Sequence, residues 1–322
     1  FNLSYDQYEN IDVNLKIVEI YRKIYPELNQ KFKIKEKNKK IKIGFISEFF
    51  SNHTIGKLFK GIILNLDNEK FQTYVFHSHK TDKSSIFQEF LKAEKNSNIK
   101  NIILSKNFQK SVDEIVQKNL DIVFFPDIGM SSEFYFLSFI RFAKIQITSW
   151  GHPITTSNKS IDYFLSSKLL ETNNSQGRFS EKLILSDYLP MYFYKPKIKN
   201  ILSEKEIVKK NLYFCSQNLM KIHPHFDEII SKILTKDKKS KIFFIKDKNE
   251  IMSKKLLKRF KKNNYIDLNR VTFFEKMSVE DYINTCGSSS VLLDTLYFGA
   301  GNSFHESMFY GTPTVTMPTE HL

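Results

Sequence analysis

Cysteine, alanine, tryptophan and acidic residues are all scarce in this chain of 322 residues, and each shortage excludes something. Cys215 and Cys286 are far apart, so there is neither a disulfide framework nor a thiolate metal spacing. Both lie in or beside apolar runs and read as small core residues of a protein kept in a reducing compartment. Ten Gly and eight Pro exclude collagen-like and low-complexity chains. Uninterrupted apolar runs stop short of the roughly 18–20 residues that span a membrane. The opening residues carry no signal-peptide pattern. The start at Phe1 without Met and the stop at Leu322 directly after a strand read as a fragment at both ends. Repeats with solenoid periods of about 20–50 residues are missing. His77-x-His79 and His223-x-His225 lack a third ligand at a recognisable spacing, so no metal is expected. Asp and Glu number 35 against 49 Lys and Arg, a formal charge of +14. The clusters Lys31–Lys42 and Lys254–Lys262 read as solvated helix faces and linkers, not as a nucleic-acid surface. The positive excess favours an anionic substrate such as a nucleotide.

What is present is enough for two packed domains. Hydrophobic residues make up 41% of the chain, and Phe alone supplies 30 of them. Residues 1–36 predict a helix over about 12–24 followed by a Lys-rich linker. Apolar, β-branched strands then alternate with helices. Strands are expected at 41–47, 72–78, 101–105, 121–126, 144–150 and 160–167, with helices near 55–66, 84–95, 109–119 and 131–141. Residues 168–210 break the rhythm, and the interdomain linker falls near 195–205. Strands at 211–217, 241–246, 271–276, 290–295 and 314–318 then alternate with helices at 224–235, 249–262, 278–286 and 302–310. Such alternation is the signature of a parallel sheet covered on both faces.

Chemistry concentrates where strands end. After 290–295 comes a turn with Gly299 and Gly301, which let backbone amides approach a ligand, then Asn302 and Ser303 at a helix start. Bare amides and a helix dipole favour a phosphate there. Ser303-x-x-Glu306 is also a capping box that stabilises a helix start without any ligand. His53 stands just before a helix, where it transfers a proton or caps the helix. Asp127 directly follows a strand and either binds a substrate hydroxyl, orients a base, or caps the helix near Ser131. The turn at 149–157 holds His152, Pro153 and Thr155; it presents amides to an acceptor or simply ends a strand. Lys221 precedes a proline-opened helix, suited to neutralising a diphosphate or to plain solvation.

Together these loops resemble the catalytic region of glycosyltransferase family 41, which holds O-GlcNAc transferases, SPINDLY-type proteins and bacterial enzymes carrying tetratricopeptide repeats. The resemblance runs from about residue 41 to the end. Its clearest carriers are FGAGN (298–302), GTP (311–313) and VTMP (315–318), which are closest to bacterial members. It implies a GT-B fold: two Rossmann-like lobes with the donor site in the cleft, the second lobe truncated at its C-terminus. The implied domains are a helical linker at 1–36 following an upstream repeat region, an acceptor-side lobe at 37–200, and an incomplete UDP-sugar-binding lobe at 201–322. By position, Lys221 resembles the lysine on the donor diphosphate, Gln217 and Asn218 an amide pair in swapped order, and Asn302 and Ser303 paired threonines. Gly301 takes the place of a histidine, Glu306 of a ribose-binding aspartate, and Tyr282 of a histidine stacked on uracil. His53 matches the active-site histidine, with Asp127 as a second catalytic candidate, and His152, Pro153 and Thr155 lie on the acceptor side. Val279 stands where a lysine near the nucleotide is often found.

The implied activity is inverting, metal-independent transfer of a sugar, GlcNAc first, from a UDP-sugar to protein Ser/Thr hydroxyls. Alternatives are an Asn- or glycan-directed transferase using UDP-glucose, and a non-catalytic UDP-binding or scaffolding module. The UDP-sugar is a substrate, and no cofactor is expected. Expected partners are a protein or glycan acceptor and upstream tetratricopeptide repeats, without nucleic acid or a membrane span, in the cytoplasm.

Overall fold

A computed structural model describes residues 11–33, 39–81, 84–207, 211–262 and 266–318. The linker proposed for residues 1–36 and the Lys31–Lys42 cluster therefore fall partly outside the described residues. Within them the chain forms two compact units that divide between Tyr194 and Lys195.

The first unit opens with α1 (Ile11–Ile24), then runs β1 (Ile41–Ile46), α2 (Thr54–Leu64), β2 (Phe71–His77), α3 (Ser85–Asn96), β3 (Ile99–Ile103) and α4 (Phe108–Val116). It continues through β4 (Ile122–Phe125), α5 (Ser132–Leu137), β5 (Ile145–Ser149), β6 (Tyr163–Ser167) and β7 (Lys182–Ser186). The sheet order is β3-β2-β1-β4-β5-β6-β7, and every pairing is parallel. Central strands buried on both faces need near-continuous apolar sequence. Phe45 and Phe124 accordingly face Ile55 and Phe59 of α2, while Ile46, Val123 and Phe125 pack with Val112 of α4 and Phe134 of α5. β7 is a strand the sequence did not reveal. It lies in the stretch of broken rhythm, follows a short 3-10 turn instead of a helix, and as an edge strand is largely exposed.

The helix at the start is no free linker. Arg22 of α1 donates to the carbonyls of Leu28 (3.0 Å) and Phe139 (3.1 Å), to Asn158 Oδ1 (2.9 Å) and to Ser160 Oγ (2.9 Å). Val18 and Leu28 bury against Phe139 beside it.

The second unit comprises β8 (Leu212–Phe214), α6 (His225–Lys236), β9 (Lys241–Ile245), α7 (Ile251–Lys261), β10 (Val271–Phe274) and α8 (Val279–Ser288), then β11 (Val291–Leu293), α9 (Asn302–Ser307) and β12 (Thr314–Val315). Its parallel sheet has the order β10-β9-β8-β11-β12. One face packs Phe226, Ile230, Phe244 and Phe260, the other Phe214, Ile283 and Leu292. Both thiols, Cys215 and Cys286, are free and buried in these cores. No helix among the described residues is long and apolar enough to cross a membrane.

Removing the Arg22 bonds should loosen α1 without unfolding the sheet. Arg22→Ala is expected to destabilise the first unit by roughly 1–3 kcal/mol and to make residues 11–33 the first site of limited proteolysis. An unchanged cleavage pattern and melting temperature would show that α1 is not held by these bonds.

Candidate functional site

In both sheets the winding direction reverses at the first strand, between β1 and β4 and again between β8 and β11. Loops diverge at such points and leave a crevice outside the carboxyl ends of the strands, where open α/β sheets bind ligands.

At the first reversal, Ser47 leaves β1 and Asp127 follows β4. Ser47 Oγ donates to Asp127 Oδ2 across the crevice at 2.9 Å, and Phe49 N–H donates to Ser47 Oγ at 3.0 Å. Burial pushes the Asp127 carboxyl up to about 7; the Ser47 bond opposes that rise and the nearby Glu48 adds to it. The helix at 132–137 is capped by Ser131, not by Asp127. Gly151 sits against this carboxylate. A Cβ there would come within 2.4 Å of the Pro126 carbonyl and 2.8 Å of both Asp127 Cβ and Ile55 Cδ1. Gly129, at φ +101°, leaves a would-be Cβ 3.0 Å from His152 Cδ2. The loops of β1, β4 and β5 are thus packed into one floor.

His53 belongs to the same corner. Its Nδ1 accepts from Ile55 N–H at 3.3 Å and caps α2, and its ring stacks on Phe49 at 4.3 Å. Burial, helped by Lys57, lowers its pKa. With the Nδ1 lone pair used by the backbone, the neutral ring carries its proton on Nε2 and acts as a donor. His152 is buried and its imidazole is pushed down to about 3, so it is a neutral packing group at the base of the turn. Pro153 beside it is half-buried.

Thr155 is a correction. Its hydroxyl does not face an acceptor; it donates to Glu181 Oε2 at 2.7 Å and accepts Ser180 N–H at 3.0 Å. Thr156 gives Glu181 Oε1 its backbone N–H at 2.9 Å and its hydroxyl as well. Glu181, next to β7, therefore anchors the far end of the His152 turn. The two histidines His77 and His79 do not converge: His77 pairs with Asn101, His79 faces Glu133. No group of metal-binding side chains occurs among the described residues.

At the second reversal, Lys221 ends a short 3-10 turn that follows β8. Its Nζ donates to Gln217 Oε1 and to the Gly299 carbonyl, both at 3.0 Å, and lies 4.7 Å from the centre of the Phe298 ring. Burial pushes this ammonium down to about 8, while Asp294 pulls it back up. Gln217 Nε2 donates to Ser303 Oγ at 3.3 Å, linking the lysine to α9. Gly299 also makes room for a neighbouring side chain, because a Cβ there would meet Asp294 Oδ2 at 2.8 Å and displace it. At Gly301 a Cβ would meet nothing within 4 Å, so that backbone faces open space.

Three expectations change here. The Ser303-x-x-Glu306 capping box does not form: the N-cap is Gly301 without any side-chain cap, and Ser303 already lies inside the six-residue α9. Tyr282 is no exposed stacking platform. Its ring is buried, 6.3 Å from Phe214, and its hydroxyl donates to the Ser303 carbonyl (3.1 Å) and meets Ser216 Oγ (3.1 Å). Asn218 is exposed and uses its carbonyl oxygen to cap Met220 N–H at 3.0 Å. Asn302 and Glu306 are buried in α9, and Asn302 Oδ1 has no hydrogen-bond partner among the described residues. A buried acceptor of that kind calls for a donor such as a ligand hydroxyl. Ser47, Asp294 and Phe298 escaped the sequence reading. The first two carry the signal that singled out Asp127, a polar residue directly after an apolar strand.

Titration of Asp127 supplies a stability test. A carboxyl whose folded pKa lies above its unfolded value of ~3.9 makes stability fall as pH rises from about 4 to about 7, since the unfolded chain releases its proton first. Asp127→Asn removes that loss. The variant should gain roughly 2–4 kcal/mol on wild type between acid and neutral pH, read as melting temperatures of both proteins across that range. Parallel curves would mean that the carboxyl is not perturbed. Gly299→Ala, by pushing Asp294 aside, should destabilise the second unit by roughly 1–3 kcal/mol, read as a lowered melting temperature; an unchanged value would show that the loop yields freely.

Comparison with known proteins agrees with this fold. The sequence profile of glycosyl transferase family 41 matches residues 10–212. A probable UDP-N-acetylglucosamine–peptide N-acetylglucosaminyltransferase, SPINDLY of Arabidopsis thaliana, is 21% identical over 92% of this chain and 33% of its own length. A UDP-glucose:protein N-beta-glucosyltransferase of Actinobacillus pleuropneumoniae serotype 5b is 24% identical over 61% of this chain and 31% of its own. The chain thus spans about a third of the length of these curated relatives. Among solved structures, a mutant O-GlcNAc transferase from Thermobaculum terrenum superposes with a TM-score of 0.82 at 17% identity, covering 98% of this chain and 60% of that one. The two parallel-sheet units are those of a GT-B fold. This chain belongs to glycosyl transferase family 41.

Proposed function

We propose that the chain is the catalytic region of an inverting, metal-independent transferase that moves a sugar, GlcNAc first, from a UDP-sugar to protein Ser or Thr hydroxyls. The observation that carries this is Lys221, a desolvated ammonium held at the reversal point by neutral partners. Such a group stabilises negative charge far more than a solvated lysine does. As the acceptor oxygen bonds to the anomeric carbon, the bond from that carbon to the diphosphate breaks, and the charge develops next to Lys221. In the first unit Asp127, ionised above about pH 7, is the group suited to take the acceptor proton. His53, with Nδ1 committed to α2, positions the acceptor through Nε2–H. The open backbone at Gly301 and the partnerless Asn302 Oδ1 suit the remaining diphosphate and hydroxyl contacts. The side chains of Ser303 and Glu306 lie in the same helix. Lys221 supplies the charge for the leaving group, so the proposed reaction uses the UDP-sugar as substrate and no cofactor.

A second reading, transfer of glucose to Asn or a glycan, is favoured by the likeness to the Actinobacillus protein. A third, UDP binding without turnover, gains from Val279, which is exposed on α8 at the position where the family resemblance implies a lysine. Upstream repeats are the natural means of binding the acceptor, and two buried free thiols suit the reducing cytoplasm.

Incubation of the chain with a panel of UDP-sugars and cell lysate separates the readings. UDP release with GlcNAc on Ser or Thr peptides is expected, falling about 100-fold or more in Lys221→Ala. Glucose on Asn would favour the second reading. Calorimetric UDP binding with no release from any donor would favour the third.

A further inference from the structure

Lys221 has no carboxylate within ion-pair distance among the described residues; every partner it touches is neutral. Its counter-charge stands one residue layer away. Asp294 is the first residue after β11, and two uncharged donors pin its carboxylate. Thr295 N–H gives to Oδ1 at 2.9 Å and Thr316 Oγ1 to Oδ2 at 3.0 Å. Gly299 is wedged between the two charges. Its α-carbon faces Asp294 Oδ2 so closely that a Cβ would sit 2.8 Å from it, while its carbonyl accepts from Lys221 Nζ at 3.0 Å.

We propose that Asp294 is the positioning residue that keeps Lys221 charged and thereby sets the pH range over which the second unit takes a nucleoside diphosphate. This rests on the reading of Lys221 as the diphosphate contact. Asp294 is the carboxylate that opposes the desolvation of the lysine. The other titratable groups in this region do not replace it. Cys215 of β8 is a buried thiol pushed up to about 12 and is uncharged. Arg259 of α7 reaches the Ile222 carbonyl but is paired with Asp227 at 2.7 Å. His223 and His225 at the start of α6 contact Tyr297. Tyr282 of α8 is held neutral by burial, and Glu306 lies in α9.

The carboxylate has two opposite effects on an arriving diphosphate. It repels the ligand directly, and it preserves the cation that binds it. At low pH Lys221 is charged in any case, so only the repulsion counts. At high pH the preserved cation dominates.

Calorimetric titration of the full chain with UDP, from about pH 6 to about pH 9, reads both effects, and the ratio of variant to wild-type Kd cancels the titration of UDP itself. For Asp294→Asn that ratio should be one or less at the acid end and rise to about fivefold or more at the alkaline end. In Lys221→Arg/Asp294→Asn, relative to Lys221→Arg alone, the rise should vanish because a guanidinium stays charged. Thr316→Val, which removes a hydrogen bond but no charge, should follow wild type. Parallel Asp294→Asn and wild-type curves would overturn the assignment, as would Thr316→Val reproducing the Asp294→Asn profile. A wild-type chain that binds no UDP at any pH would sink the diphosphate reading itself, and this inference with it.

Discussion

A half-buried, partly desolvated lysine ammonium is the constraint on which the second unit turns. Lys221 is enclosed by Gln217, the Gly299 carbonyl and the Phe298 ring, and a buried charge is tolerated only where it is hydrogen-bonded. Those partners come from the loops after β8 and β11, so satisfying one cation fixes both sides of the reversal point. Gly299 is tied on both sides, by its carbonyl to the lysine and by its missing side chain to Asp294. Gln217 extends the same chain of bonds to Ser303, and Tyr282 holds the backbone of that residue from α8.

The first unit solves a different problem with the same topology. Asp127 and Glu181 are buried acceptors there, and hydroxyls supply the donors: Ser47 to Asp127, Thr155 and Thr156 to Glu181. Uncharged donors satisfy a carboxylate without fully offsetting its desolvation. Asp127 can therefore hold or release a proton near neutral pH, whereas an arginine partner would lock it ionised. His53 and His152, the residues most readily suspected of proton transfer, are committed instead to a helix cap and to packing.

Much of this was legible in the sequence because it is local. Apolar runs such as Ile41–Ile46 and the helix starts after Ser84, Asn107 and Ser278 follow from residue patterns a few positions long. Strand ends then placed Asp127 and Lys221 at the reversal points. What stayed hidden depends on partners far along the chain. β7 is recognisable only by pairing with β6, Thr155 is diverted by Glu181, and the phenol of Tyr282 is buried by α9. The Ser303-x-x-Glu306 pattern failed for the same reason: Ser303 is engaged by Gln217, 86 residues away, and the helix begins one residue before it.

Both crevices derive from one rule of parallel sheets, and the second carries a half-buried cation suited to a diphosphate. The most direct measurement is a crystal structure of the chain soaked with UDP. The expected result is diphosphate oxygen within ~3 Å of Lys221 Nζ, replacing or joining the Gly299 carbonyl, with a ribose hydroxyl on Asn302 or Glu306. UDP bound elsewhere, with Lys221 still closed on Gln217 and Gly299, would contradict the assignment of this lysine as the centre of the site.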